Sequence, residues 1–131
     1  LGIRSSSSVV VDEAEFFNLN PKWVFLGHFD TFIEFEEPGK LDVSFTARIT
    51  CTKPVKTRIT IKQVSPKNQN LGHFGNIAVA QASHTPEESS VYNQALIDLE
   101  TGIYRIKIEH RSTSPVSATL QGGSLIARIL Y

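Results

Sequence analysis

The chain has 131 residues, with 13 Lys plus Arg against 13 Asp plus Glu and a formal net charge of zero. With no sequence-wide field to steer phosphate backbones or anionic lipid, these totals exclude nucleic acid as a partner and give no support to membrane insertion. Cys51 is the only cysteine, which excludes an intramolecular disulfide, a CxxC redox pair and a zinc cluster built within one chain.

A chain of this length buries about two-thirds of the surface its unfolded form exposes, so a single domain over residues 1–131 can be held by packing alone. It begins at Leu1 and contains no Met, which leads to the expectation of a processed product or an excised piece of a longer protein. No stretch approaches the roughly 18 apolar residues that span a bilayer, and no apolar run near the start has the form of an export signal.

Residues 1–8 contain the polar tract Ser5 to Ser8 and are expected to be a flexible N-terminal segment. Residues 8–11, with the β-branched Val9, Val10 and Val11, predict a short strand. Residues 11–17 carry the one helix-like run, too short for more than a turn. After Asn20-Pro21 comes Trp23, the only tryptophan, whose alternatives are a place in the core and a role in ligand binding. Residues 24–36 predict a strand, in which Glu34 and Glu36 share a face opposite Ile33 and Phe35.

The clearest pattern runs from 41 to 51, where Leu41, Val43, Phe45, Ala47, Ile49 and Cys51 alternate with Asp42, Ser44, Thr46, Arg48 and Thr50. Period two over this length means a strand with one dry face, and it places the Cys51 thiol among the buried side chains. Residues 57–64 and 103–110 alternate in the same way, and residues 77–83, 92–99 and 116–120 complete the set. Pro and Gly punctuate the runs, at Pro38-Gly39, Lys53-Pro54, Thr85-Pro86, Thr101-Gly102, Ser114-Pro115 and Gly122-Gly123. The closing segment 124–131 is apolar on both faces: Leu125, Ala127, Ile129 and Tyr131 point one way, Ile126 and Leu130 the other. A second cover is therefore expected, either another subunit or a loop of the same chain.

Three segments resemble the globular heads of complement first-component q chains and their tumour-necrosis-factor-like relatives. They are Pro38-Gly39-Lys40-Leu41-Asp42-Val43-Ser44-Phe45, Leu99-Glu100-Thr101-Gly102-Ile103-Tyr104-Arg105-Ile106, and Gly122-Gly123-Ser124-Leu125-Ile126-Ala127-Arg128-Ile129-Leu130-Tyr131. Leu41 and Val43 stand where that family has aromatics, and residues 110–123 look more like its bacterial and phage members. The resemblance implies an all-β, antiparallel jelly-roll sandwich of about eight to ten strands. It also implies a homotrimer with Leu125, Ile126, Ala127, Ile129 and Leu130 at the interface, and recognition of proteins or sugars through exposed loops.

The chemistry is that of binding. Ser5 to Ser8 lack a nucleophile context, and His28, His73, His84 and His110 are too scattered for a local metal pair. They read as exposed or singly hydrogen-bonded histidines, and no enzyme activity is expected. Glu34 and Glu36 could contribute to a calcium site but equally form a solvated strand face, since calcium needs six or more oxygens; no cofactor is expected. The polar stretch 65–76 offers Asn68, Asn70, His73 and Phe74 as ligand contacts, with Trp23 beside them as a further candidate. The expected function is a trimeric adhesion or receptor-binding head for a cell-surface protein or glycan, extracellular, cell-surface or virion-associated, such as the tip of a phage tail fibre or bacterial appendage. The alternatives are a monomeric carbohydrate-binding module and a structural capsid or baseplate jelly roll.

Overall fold

The computed structural model describes residues 3–18, 22–65, 77–87 and 89–130. Its strands are β1 (Ile3–Asn18), β2 (Val24–Phe35), β3 (Gly39–Cys51), β4 (Val55–Ser65), β5 (Ile77–His84), β6 (Ser90–Leu99), β7 (Gly102–Arg111) and β8 (Val116–Leu130). Each pairs antiparallel with its counterpart from the other end of the chain: β1 with β8, β2 with β7, β3 with β6 and β4 with β5. This is one long hairpin, with β4 and β5 at its tip, rolled up until β8 meets β3 and β7 meets β4. The result is two four-stranded sheets, β1-β8-β3-β6 and β2-β7-β4-β5, the order of a jelly roll.

The core lies between the sheets because every strand gives one face to it. β3 follows its period-two pattern without a break, and Leu41, Val43, Phe45, Ala47, Ile49 and Cys51 are all buried. Ile59 and Ile61 of β4 and Tyr104, Ile106 and Ile108 of β7 meet them from the other sheet. Phe29 packs edge-on against Phe45 with ring centroids 5.0 Å apart, and Phe35 against Tyr104 at 5.7 Å, the arrangement the ring quadrupoles favour.

The expectations for the two ends of the chain need correction. Residues 11–17 form no helical turn, and the tract expected to be a flexible tail lies from Ile3 onward in β1, laddered to β8. Likewise residues 116–120 and the closing segment are one continuous strand. A β-bulge explains both misreadings. In β8 the buried positions are Val116, Ala118 and Leu120 before Gly122, then Gly123, Leu125, Ala127 and Ile129 after it. Against β3 the register slips there, from Ile49↔Leu120 to Phe45↔Leu125. β1 changes parity beside it: Val9 and Val11 pack on the core, then Ala14 and Phe16. One extra residue turns a spacing of two into a spacing of three, which in sequence imitates a helix. Gly122 adopts φ +61°, the left-handed conformation that favours glycine at such a bulge.

Candidate functional site

The sheets leave two outward faces of different character. On β1-β8-β3-β6 the register aligns Ser8, Ile126 and Ser44 in one row, Ser6, Arg128 and Asp42 in the next, and Val10, Ser124 and Thr46 in a third. β6 continues these rows with Gln94, Leu96 and Tyr92. Val10, Tyr92 and Leu96 are more than half exposed, and Ile126 and Leu130 are half-buried between the flanking strands. The structure therefore divides the residues expected at a subunit interface. Leu125, Ala127 and Ile129 are buried within the sandwich, so only Ile126 and Leu130 are available outside. Val10, Leu96 and Tyr92 are further apolar side chains on this face, set apart from Ile126 by Ser8, Ser44, Ser124, Thr46, Asp42 and Arg128; sequence reasoning missed them because β1 and β6 show no face until they are paired with β8 and β3.

The outward face of β2-β7-β4 is cationic and aromatic. Phe32 is half exposed and Phe25 rather less. Arg105 lies between them, its guanidinium 5.5 Å from the Phe25 centroid and 5.9 Å from that of Phe32, while the Lys107 ammonium is 5.3 Å from Phe25. Arg105 also donates two hydrogen bonds to the Asp30 carboxylate, at 2.7 and 2.6 Å, and this contact holds the Asp30 carboxyl below its ordinary range. Arg58 repeats the theme: it donates to Glu109 at 2.8 Å and its guanidinium sits 4.2 Å from the centre of the Trp23 ring. Trp23 is thus neither in the core nor free in a loop, but the base of a cation–π stack at the margin of this face.

Of the two buried histidines, His84 departs from the expectation of exposed or singly bonded groups, while His110 keeps a single side-chain hydrogen bond. His84 is fully buried; its Nδ1 lies 3.3 Å from the Ser89 carbonyl and its Nε2 3.0 Å from the Thr57 hydroxyl. A neutral ring that donates from Nδ1 and accepts at Nε2 satisfies both. His110 packs on Phe16 with ring centroids 4.6 Å apart, and its Nδ1 accepts from the Asn18 amide at 3.0 Å. Burial lowers both pKa values, that of His110 to about 4. Both histidines tie the sandwich together. His28 is exposed.

Glu34 and Glu36 are exposed at a cleft of about 480 Å³, whose walls also include Ser5, Ser6, Ser7 and Glu37. Among the described residues, no group of three or more His, Cys, Asp or Glu is placed to hold a metal ion. Asn68, Asn70, His73 and Phe74 lie outside the described residues. Among the described residues, no helix is long and apolar enough to cross a membrane.

No family model matches the chain, and no curated protein does. Solved structures do share the fold. Eiger TNF from S. frugiperda superposes with a TM-score of 0.57 at 9% identity, covering 98% of this chain and 94% of that one. The infectious bursal disease virus Gx strain gives 0.54 at 12% identity over 97% of this chain. The T13 particle of that virus gives 0.51 at 10% over 95%. This chain spans about a third of those viral chains, 34% and 35%. At such identities the likeness shows the jelly-roll fold.

Proposed function

We propose that this domain is a non-catalytic recognition head that assembles as a homotrimer through the outward face of β1-β8-β3-β6. It would present its other surfaces to a cell-surface protein or glycan. The observation that carries the reading is the set of exposed or half-buried apolar side chains, Val10, Tyr92, Leu96, Ile126 and Leu130, spread over a sheet whose opposite side already fills the core. A free-standing sandwich needs only one dry face per sheet, and covering the second recovers roughly 25 cal/mol for each Å² of apolar area before association costs. A threefold arrangement is what the sequence resemblance implies, and a closed symmetric assembly would cover these side chains. The setting that goes with this function is extracellular, cell-surface or virion-associated, as on a phage tail fibre or bacterial appendage.

Sedimentation equilibrium of the full chain tests it. The expected result is three times the chain mass, maintained at micromolar concentration; a monomer at that concentration overturns the assembly and favours the monomeric carbohydrate-binding alternative.

A further inference from the structure

We propose that the outward face of β2-β7-β4 binds an acidic polysaccharide, a chain of uronate or sulfated sugars lying along β4 and β7. The inference rests on the reading of the domain as a recognition module but not on its oligomeric state.

The first support is the sorting of charge. The whole chain is neutral, yet this face collects Lys56, Arg58, Lys62, Arg105, Lys107 and Arg111 against Asp30, Glu34 and Glu109. The second is where the register puts them. Lys56 stands directly opposite Arg111, and Lys62 directly opposite Arg105. Like charges in facing positions of an antiparallel pair destabilise the sheet. The carboxylates relieve this cost only in part. Asp30 is engaged with Arg105 and Glu109 with Arg58, and among the described residues Lys56, Lys62, Lys107 and Arg111 have no carboxylate at salt-bridge distance. Desolvation first, and then the charge of Arg105, hold the Lys107 ammonium below the ordinary lysine range; Glu109 and Asp30 oppose this and Lys62 adds the least. An external anion would relieve every one of these contacts.

The shape of the face indicates a polymer. From Arg111 to Arg105 the cations run along β7 for about 20 Å at ~3.3 Å per residue. The surface is an open sheet, with a cavity of about 160 Å³ at one end lined by Lys56, Ser83, Arg111 and Thr113, enough for a sulfate or carboxylate group. The chemistry indicates sugar. Phe25 and Phe32 offer apolar rings, and the exposed Glu34 and half-buried Asp30 bring acceptors for hydroxyl donors. A phosphodiester or polyglutamate chain has few donors to give them, whereas a sugar ring carries hydroxyls, an apolar face and an acidic substituent together.

The test is calorimetric titration of the full chain with a heparin-derived octasaccharide and a galacturonate oligomer. Expected is binding that weakens steeply with salt. The pairs Lys62→Gln with Lys107→Gln, and Lys56→Gln with Arg111→Gln, should each weaken it by about tenfold or more. The denaturation midpoint of Lys62→Gln should stay level or rise, because a facing like charge has gone; loss of binding together with loss of the folded state would mark a structural effect and overturn the assignment. An Ile126→Asp chain should keep its affinity per site, so failure of the assembly is read separately. Equal binding by neutral dextran, by polyglutamate or by single-stranded DNA overturns the inference, as does octasaccharide affinity unchanged when all four cations are replaced.

Discussion

Phe29 rests directly on Gly123: a Cβ built at Gly123 would stand 2.4 Å from the Phe29 Cζ and 2.8 Å from a Leu120 methyl. The ring comes from β2 and the glycine from the bulged part of β8, so this contact joins the two sheets. Gly123→Ala should cost about 1–3 kcal/mol, as overpacking does. Combining it with Phe29→Leu should give a loss smaller than the sum of the two single losses, because the smaller side chain makes room. Urea denaturation of both singles and the double decides it; simple additivity would show that the contact is relaxed without strain.

Phe45 is buried at the centre of the same layer, edge-on to Phe29. Phe45→Ala is expected to cost about 3–5 kcal/mol, the range for a buried aromatic cut back to a methyl. A loss below about one, measured by the shift in denaturation midpoint, would contradict the packing described.

Acid should loosen the sandwich through its histidines. His110 has its folded pKa lowered to about 4 by burial, whereas an unfolded histidine titrates near 6.5. The unfolded chain therefore binds more protons between these values, and stability falls as pH falls. The contribution is complete above about pH 6.5 and shrinks toward pH 4, by on the order of 3 kcal/mol in all. The lowered pKa of His84 acts in the same direction. Replacing His110 by Gln should flatten this part of the profile, as followed by thermal unfolding across the pH range; an unchanged slope would assign the acid sensitivity to other groups.

Ile126 and Leu125 are neighbours in sequence with opposite fates, one half-buried on the outward face and the other fully buried. Ile126→Asp should convert the assembly to monomers while leaving the circular dichroism spectrum and cooperative unfolding intact. Leu125→Asp should unfold the chain, since an unpaired buried charge is costly. Equal behaviour of the two variants in sedimentation and unfolding would contradict the division of β8 between core and interface.

What the sequence by itself determined is the local alternation. The face of β3 from Leu41 to Cys51 and the positions of β4 and β7 are legible because a pleated strand shows its burial every second residue, and no distant contact is needed to see it. β1 and β8 were not legible as continuous strands, because the bulge at Gly122 and the matching change of parity in β1 break that period at the point where it is being read. Tertiary structure alone decided the make-up of the two outward faces. Asp30 meets Arg105 across 75 positions of sequence and Arg58 meets Glu109 across 51, while Val10, Ile126 and Leu96 come to share one face only when β1 and β3 flank β8 and β6 joins β3. Charge and hydrophobicity are carried by residues, but their grouping on a surface is set by strand register, and register follows from how the long hairpin closes on itself.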